Sequence, residues 1–156
     1  MSLVAGSGAI EWKLLAFDAL SPRELHALLQ LRTEVFVVEQ NCVFQDIDGA
    51  DPQALHLLGR RDGELLAYAR CFAPGIKFAE ASIGRVIVRK GARGQDLGHV
   101  LIEQAVSAVN RLWGPQAIRI GAQVHLEKYY NTHGFVTLGE PYVEDGIPHL
   151  AMIRQP

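Results

Sequence analysis

The sequence predicts an α/β domain, in the α+β sense of a mixed sheet, with helices on both faces. Three observations predict it. Two segments with helical spacing, 21–36 and 97–112, are separated by runs with strand character. A two-residue turn, Asp62-Gly63, joins two of those runs into an antiparallel hairpin. The resulting order, β-α-β-β-β-α-β-α-β-β, mixes hairpins with helical crossovers, so both parallel and antiparallel pairs are needed in one sheet.

Each element has a local cause. "IEWKLLAF" (10–17) reads as the opening strand. In "SPRELHALLQLRTEVFVVEQ", Ser21 is an N-cap, Pro22 suits the first helical position and Glu24 completes a capping box. Leu25, Leu28, Leu29, Arg32, Val35 and Phe36 then repeat at helical spacing. Residues 40–53, "QNCVFQDIDGADPQ", have loop composition. "ALHLLGRRDGELLAYARCF" is the hairpin, and "ASIGRVIVRK" is a β-branched strand. Leu97, Val100, Leu101, Ala105, Ala108, Val109 and Leu112 mark one face of a long helix that Gly114-Pro115 stops. "AIRIGAQ" is a short strand, "HLEKYYNTH" a short helix closed by Gly134, and "FVTLGEPYVEDGIPHLAMIR" two final strands.

The 156 residues suit one domain, expected over 10–156 behind a flexible leader at 1–9. A net charge of −2 excludes a protein that grips nucleic acid by bulk charge. No apolar run approaches the roughly 20 residues of a membrane span, and the first residues lack the pattern of a signal peptide. The expected setting is cytoplasmic, with Cys42 and Cys71 as reduced thiols and no metal site.

"GARGQDLGHVLIEQAV" (91–106) carries the first chemical signal. A strand-to-helix turn leaves the first helical N–H groups unpaired, at the positive end of the helix dipole. Gly94 and Gly98 keep Cβ atoms out of the way of an anion approaching them. The stretch is neither a P-loop, lacking G-K-[ST], nor a dinucleotide fingerprint, lacking G-x-G-x-x-G. Glycines alone leave a plain tight turn equally open.

The surrounding residues resemble a known family. "VIVRKGARGQDLGHVLIEQAV" resembles motif A of the GNAT acyl-CoA-dependent N-acyltransferases, a strand followed by [RQ]-x-x-G-x-[GA] and a helix. Arg93 and Gly98 match, and Asp96 stands where the pattern has its middle glycine. "QVHLEKYYNTHGF" resembles the family's second motif: Tyr130, Gly134 and Phe135 match, whereas Gln123 and Leu126 depart. "LRTEVFVVEQNCVFQDIDGAD", "IGRVIV" and "EDGIPH" resemble the ElaA-type branch, and the likeness runs over residues 10–154.

The resemblance implies a six- to seven-stranded mixed sheet that splays after the motif A strand. It implies acetyl-CoA as co-substrate, its pyrophosphate held by backbone N–H groups of Arg93, Gly94, Gln95, Asp96, Leu97, Gly98 and His99. The carboxylate of Asp96 would then face away. The pantetheine arm would pair with Val86, Ile87 and Val88, with Gln123 and Tyr130 completing the cofactor site. A primary amine would attack the thioester directly in a ternary complex, and Tyr130 (or its neighbour Tyr129) would protonate the departing thiolate. Glu39, His149 and Glu80 are candidates for the general base, as is a water chain. Glu39 is read either as a base whose pKa burial behind "VFVVEQ" raises or as a solvated helix-end carboxylate.

Asp46 and Asp48, with Asp51, are read either as turn chemistry or as an acidic rim that attracts a cationic acceptor. Arg85, in a strand otherwise suited to burial, is read either as an edge or outward-facing residue or as a buried charge paired with Glu39, Asp46 or Asp48 that shapes the acceptor pocket with His149. His56 faces either the site or solvent. The expected acceptor is a small-molecule or peptide amine, and the expected state a monomer or a homodimer, the latter with a β-edge at 136–154 available for pairing. Two alternatives stand beside this reading: a relative of acyl-homoserine-lactone synthases, from "RTEVFVVEQ…DIDGAD", and a non-catalytic acyl-CoA-binding module.

Overall fold

The computed structural model describes residues 9–156, so the leader expected at 1–9 lies, apart from Ala9, outside the described residues. Seven strands and three α-helices follow the expected order: β1 (Glu11–Ala16), α1 (Pro22–Arg32), β2 (Leu55–Arg61), β3 (Glu64–Phe72), β4 (Ala81–Val88), α2 (Leu97–Trp113), β5 (Ile118–Gln123), α3 (Glu127–Asn131), β6 (Phe135–Glu144) and β7 (Ile147–Arg154). They form one sheet in the order β1-β2-β3-β4-β5-β7-β6. Every neighbouring pair is antiparallel except β4–β5.

The capping box that starts α1 is complete. Ser21 Oγ accepts the Glu24 N–H at 3.0 Å, and Glu24 Oε1 accepts the Ser21 N–H at 2.8 Å. The helix expected to run to Phe36 changes character sooner. After Arg32 it widens into a π-helical stretch over Thr33–Glu39. Thr33 Oγ1 bonds back to the Leu29 carbonyl at 3.0 Å, and three valines with poor helix propensity follow. The wider turns bring Phe36, Glu39 and Gln40 to the opening in the sheet described below.

β3 is buried along nearly its whole length because helices cover both faces of the sheet. On one side α1 packs Leu28 and Leu31 against Leu58, Leu65, Tyr68 and Ile87. On the other, α2 buries Leu101, Ala105 and Val109 against β3, β4, β5 and β7. Leu112, expected on that buried face, is exposed near the helix end.

Two irregularities open the sheet. β4 and β5 pair only at Ala81↔Ile118 and Ser82↔Arg119, then diverge. In the same strand, Tyr68 pairs with Ile87 and Arg70 with Gly84, so Arg85 and Val86 together face Ala69 alone. That β-bulge bends β4, and Arg85 adopts φ +49°, a left-handed conformation uncommon for a residue other than glycine.

Candidate active site

The divergence of β4 from β5 leaves the β5-facing edge of β4 without a ladder partner from Ile83 onward. A cleft of about 520 Å³ occupies the gap. Every residue expected to hold the cofactor lines it except Gln95: Val86, Ile87, Val88, Arg93, Gly94, Asp96, Leu97, Gly98, His99, Gln123 and Tyr130. Gln95 instead accepts from Arg61 at 3.4 Å on the far side of the turn, so any part it has in cofactor binding is through its backbone.

At the turn, the first backbone bond of α2 is from the Val100 N–H to the Asp96 carbonyl, at 3.2 Å. Among the described residues no backbone acceptor takes the N–H groups from Gly94 to His99. Asp96 sits in the left-handed region at φ +60°, is exposed, and makes no side-chain cap to its own helix. The donors at the helix start therefore remain open to an anion. Gly98 lies against the Tyr129 hydroxyl so closely that a Cβ there would come within 2.7 Å of it. His99 closes this end, with Nδ1 at 2.8 Å from His133 Nε2 and its ring tilted over Tyr129.

Tyr130 stands where the cleft meets a second, smaller cavity of about 140 Å³; both are also lined by Phe36, Val86, Gln123 and Leu126. Its ring is buried edge-on against Phe135 and Tyr129. Burial, with Tyr129 adding to it, raises the Tyr130 phenol far above its usual pKa, so it is protonated at neutral pH. Burial pushes Tyr129 up to about 12.

The three candidate bases separate. Glu39 is exposed and its carboxylate is gripped by the Arg93 guanidinium at 2.6 and 3.0 Å. Those bonds lower its pKa, so of the two readings the solvated helix-end carboxylate holds: the valines before Glu39 do not bury it. Glu80 lies 4.0 Å from Arg119 and lines neither cavity. His149 lines the smaller cavity beside Tyr130. Its Nδ1 lies 2.7 Å from the Ile147 carbonyl, which can only accept, so Nδ1 carries a proton and Nε2 is the nitrogen turned to other partners. Glu144 lies 3.7 Å from that Nε2, and Tyr142 stacks on the ring.

The acidic rim is not a rim. Asp46 and Asp51 are buried, and Asp46, Asp48 and Asp51 are tied to three arginines. Arg32, wholly buried, reaches Asp46 at 2.8 Å, Asp51 at 2.7 Å and the Asp46 carbonyl at 3.0 Å. Arg70 holds Asp48 at 2.6 Å and Asp51 at 2.9 Å. Arg85 takes Asp46 at 2.8 Å and approaches Asp48 at 3.5 Å, settling its partner among the three expected. Three carboxylates meet three guanidiniums, so the loop offers a cation no surplus negative charge. His56 faces neither the site nor solvent: it is fully buried between the Tyr68 hydroxyl at 2.6 Å and the Asp51 carbonyl at 2.9 Å.

Sequence reasoning missed Arg32, Arg70, Phe44 and Glu144. Arg70 had a usable signal, a lone charge inside the apolar run "LLAYARCF", the same anomaly that singled out Arg85. Arg32 reads as one more residue on a helix face. Among the described residues no group of His, Cys, Asp and Glu is arranged to hold a metal ion, and no helix is long and apolar enough to cross a membrane.

A splayed mixed sheet, a turn with open N–H donors and a tyrosine at the fork are the features of an acyl-CoA-handling fold, and the sequence comparison agrees. The family described as "Acetyltransferase (GNAT) domain" matches residues 20–155, and the chain belongs to it. Within that family the chain is 44% identical to Protein ElaA of Escherichia coli strain K12 over 148 residues, covering 94% of this chain and 97% of ElaA. The crystal structure of Escherichia coli ElaA superposes with a TM-score of 0.88 at 43% identity, covering 94% of this chain and 99% of that one. An acyl-CoA N-acyltransferase from Pseudomonas aeruginosa superposes with a TM-score of 0.90 at 47% identity, with the same coverage. The acyl-homoserine-lactone synthase LasI is 17% identical with a TM-score of 0.72 over 94% of this chain and 90% of its own, a likeness of fold alone. Membership supports an acyltransferase role.

Proposed function

We propose that the protein transfers an acetyl group from acetyl-CoA to a primary amine by direct attack in a ternary complex. One observation carries this reading: the open turn, the unpaired edge of β4 and Tyr130 all line one cleft, and that cleft leads into a second cavity holding His149. The turn donors from Gly94 to His99 would take the pyrophosphate. The pantetheine arm would add to β4 as an extra strand, which its free edge permits. A β4 N–H would polarise the thioester carbonyl.

In the transfer, the amine nitrogen forms a bond to the carbonyl carbon and the C–S bond breaks. The thiolate takes the Tyr130 proton, and the amine loses its own to His149 Nε2, directly or through water. Glu39, already neutralised by Arg93, has no part in proton transfer here. A cytoplasmic setting, with acetyl-CoA at hand, belongs to the same reading.

The experiment is to incubate the protein with acetyl-CoA and a panel of amines and to follow free thiol. Thiol release with an acceptor is expected. Tyr130→Phe should lower kcat by about 10²–10⁴-fold, the usual worth of a general acid, while leaving the CoA dissociation constant unchanged. Tight CoA binding with no turnover on any acceptor would instead favour the non-catalytic module.

A further inference from the structure

The smaller cavity has an unequal distribution of charge. One wall is Arg85; another is His149 with Glu144 and Asp145; Ile83, Ile120 and Leu126 contribute apolar surface. Its volume, about 140 Å³, suits a compact acceptor.

Arg85 differs from its partner arginine in a telling way. Arg32 spends all three guanidinium nitrogens on Asp46 and Asp51 and has no exposed side-chain surface. Arg85 spends only Nε and Nη2, on the Asp46 carboxylate and carbonyl at 2.8 and 3.0 Å. Its Nη1 makes no hydrogen bond among the described residues, and its side chain remains 22% exposed where it lines the cavity. The rings of Phe36 and Phe44 lie near the guanidinium, their centroids 6.0 and 5.8 Å from its carbon. Its backbone is in the left-handed region at the β4 bulge, a conformation that costs an L-residue stability. A side chain anchored through Nε and Nη2, packed near two aromatic rings and lining a cavity with Nη1 unused can receive an acceptor group.

On these grounds, and resting on the acyltransfer reading, we propose that the acceptor is a small amine that also carries a carboxylate, an amino-acid-like zwitterion. Arg85 Nη1 binds the carboxylate. Glu144 and Asp145 attract the ammonium, and His149 Nε2 takes its proton before attack. A polyamine is disfavoured because it carries no acceptor for the Arg85 Nη1 donor, which the Asp46 bonds leave unused.

The test uses the whole protein, acetyl-CoA and matched acceptors: small α-amino acids, the corresponding amino-acid amides, the decarboxylated amines and a polyamine. Thiol release is expected to favour the free acid over its amide roughly tenfold or more in kcat/KM, the worth of one charge-assisted hydrogen bond. In Arg85→Lys, which keeps a cation for Asp46 but loses Nη1, that acid-to-amide ratio is expected to collapse, mostly through KM of the acid. The ratio is internal to each variant, so partial unfolding does not mimic the result. Equal turnover of acid and amide, or preference for the polyamine, would overturn the acceptor class and leave acyltransfer standing. Turnover of no amine at all, with CoA bound, would overturn both.

Discussion

Arg32→Met tests whether the buried ion network is structural. Methionine restores most of the stem but removes the three bonds of 2.7–3.0 Å to Asp46 and Asp51. Breaking a buried pair by deleting one partner costs about 3–5 kcal/mol, because the other charge is left uncompensated. Here Asp46 keeps Arg85 and Asp51 keeps Arg70, so the lower end, about 3 kcal/mol, is expected. At about 2–4 °C per kcal/mol for a domain of this size, Tm should fall by roughly 6–12 °C. Urea unfolding at pH 7 measures the free energy and calorimetry the midpoint. Adding Asp46→Asn should cost less than its separate effect, with a coupling of at least about 1 kcal/mol. A loss under about 1 kcal/mol for Arg32→Met, or strict additivity, would refute the reasoning and return the aspartates to turn chemistry.

Two further outcomes are expected. Asp96→Gly removes a left-handed L-residue but gives the unfolded chain more freedom, so stability should move by no more than about 1 kcal/mol and CoA affinity should hold or improve; a clear loss of affinity by calorimetry would mean the turn needs the carboxylate. Acid should destabilise the protein in a set window: the Ser21 backbone N–H lowers Glu24 from 4.5 to about 2, and such a depressed carboxylate gives stability that is full above 4.5 and lost as pH falls toward 2. Glu24→Gln should therefore flatten part of the fall in Tm over that range, and an unchanged acid limb would show that the capping box does not carry it.

The sequence alone determined the order of elements, the capping box, the hairpin and the strand-to-helix turn before α2. Each depends on residues within a few positions of one another: Ser21 with Glu24, Asp62 with Gly63, Arg93 with Gly98. The Tyr130-to-Phe135 match then singled out the tyrosine that stands at the fork of the cleft. Local physics did not reach the π-helical turn, where one Thr33 back-bond and the valines competed with a good helical pattern. It also did not reach the partners of charged groups. Glu39 stood between a buried base and a solvated carboxylate until Arg93, 54 residues on, claimed it, and Asp46 was one of three partners offered to Arg85, with no sign that Arg32 shares it. A charge takes its pKa and its role from whatever lies within a few ångströms, and only the assembled sheet decides that. The same assembly, through two ladder pairs between β4 and β5 and a bulge at Arg85, decided that there would be a cleft at all.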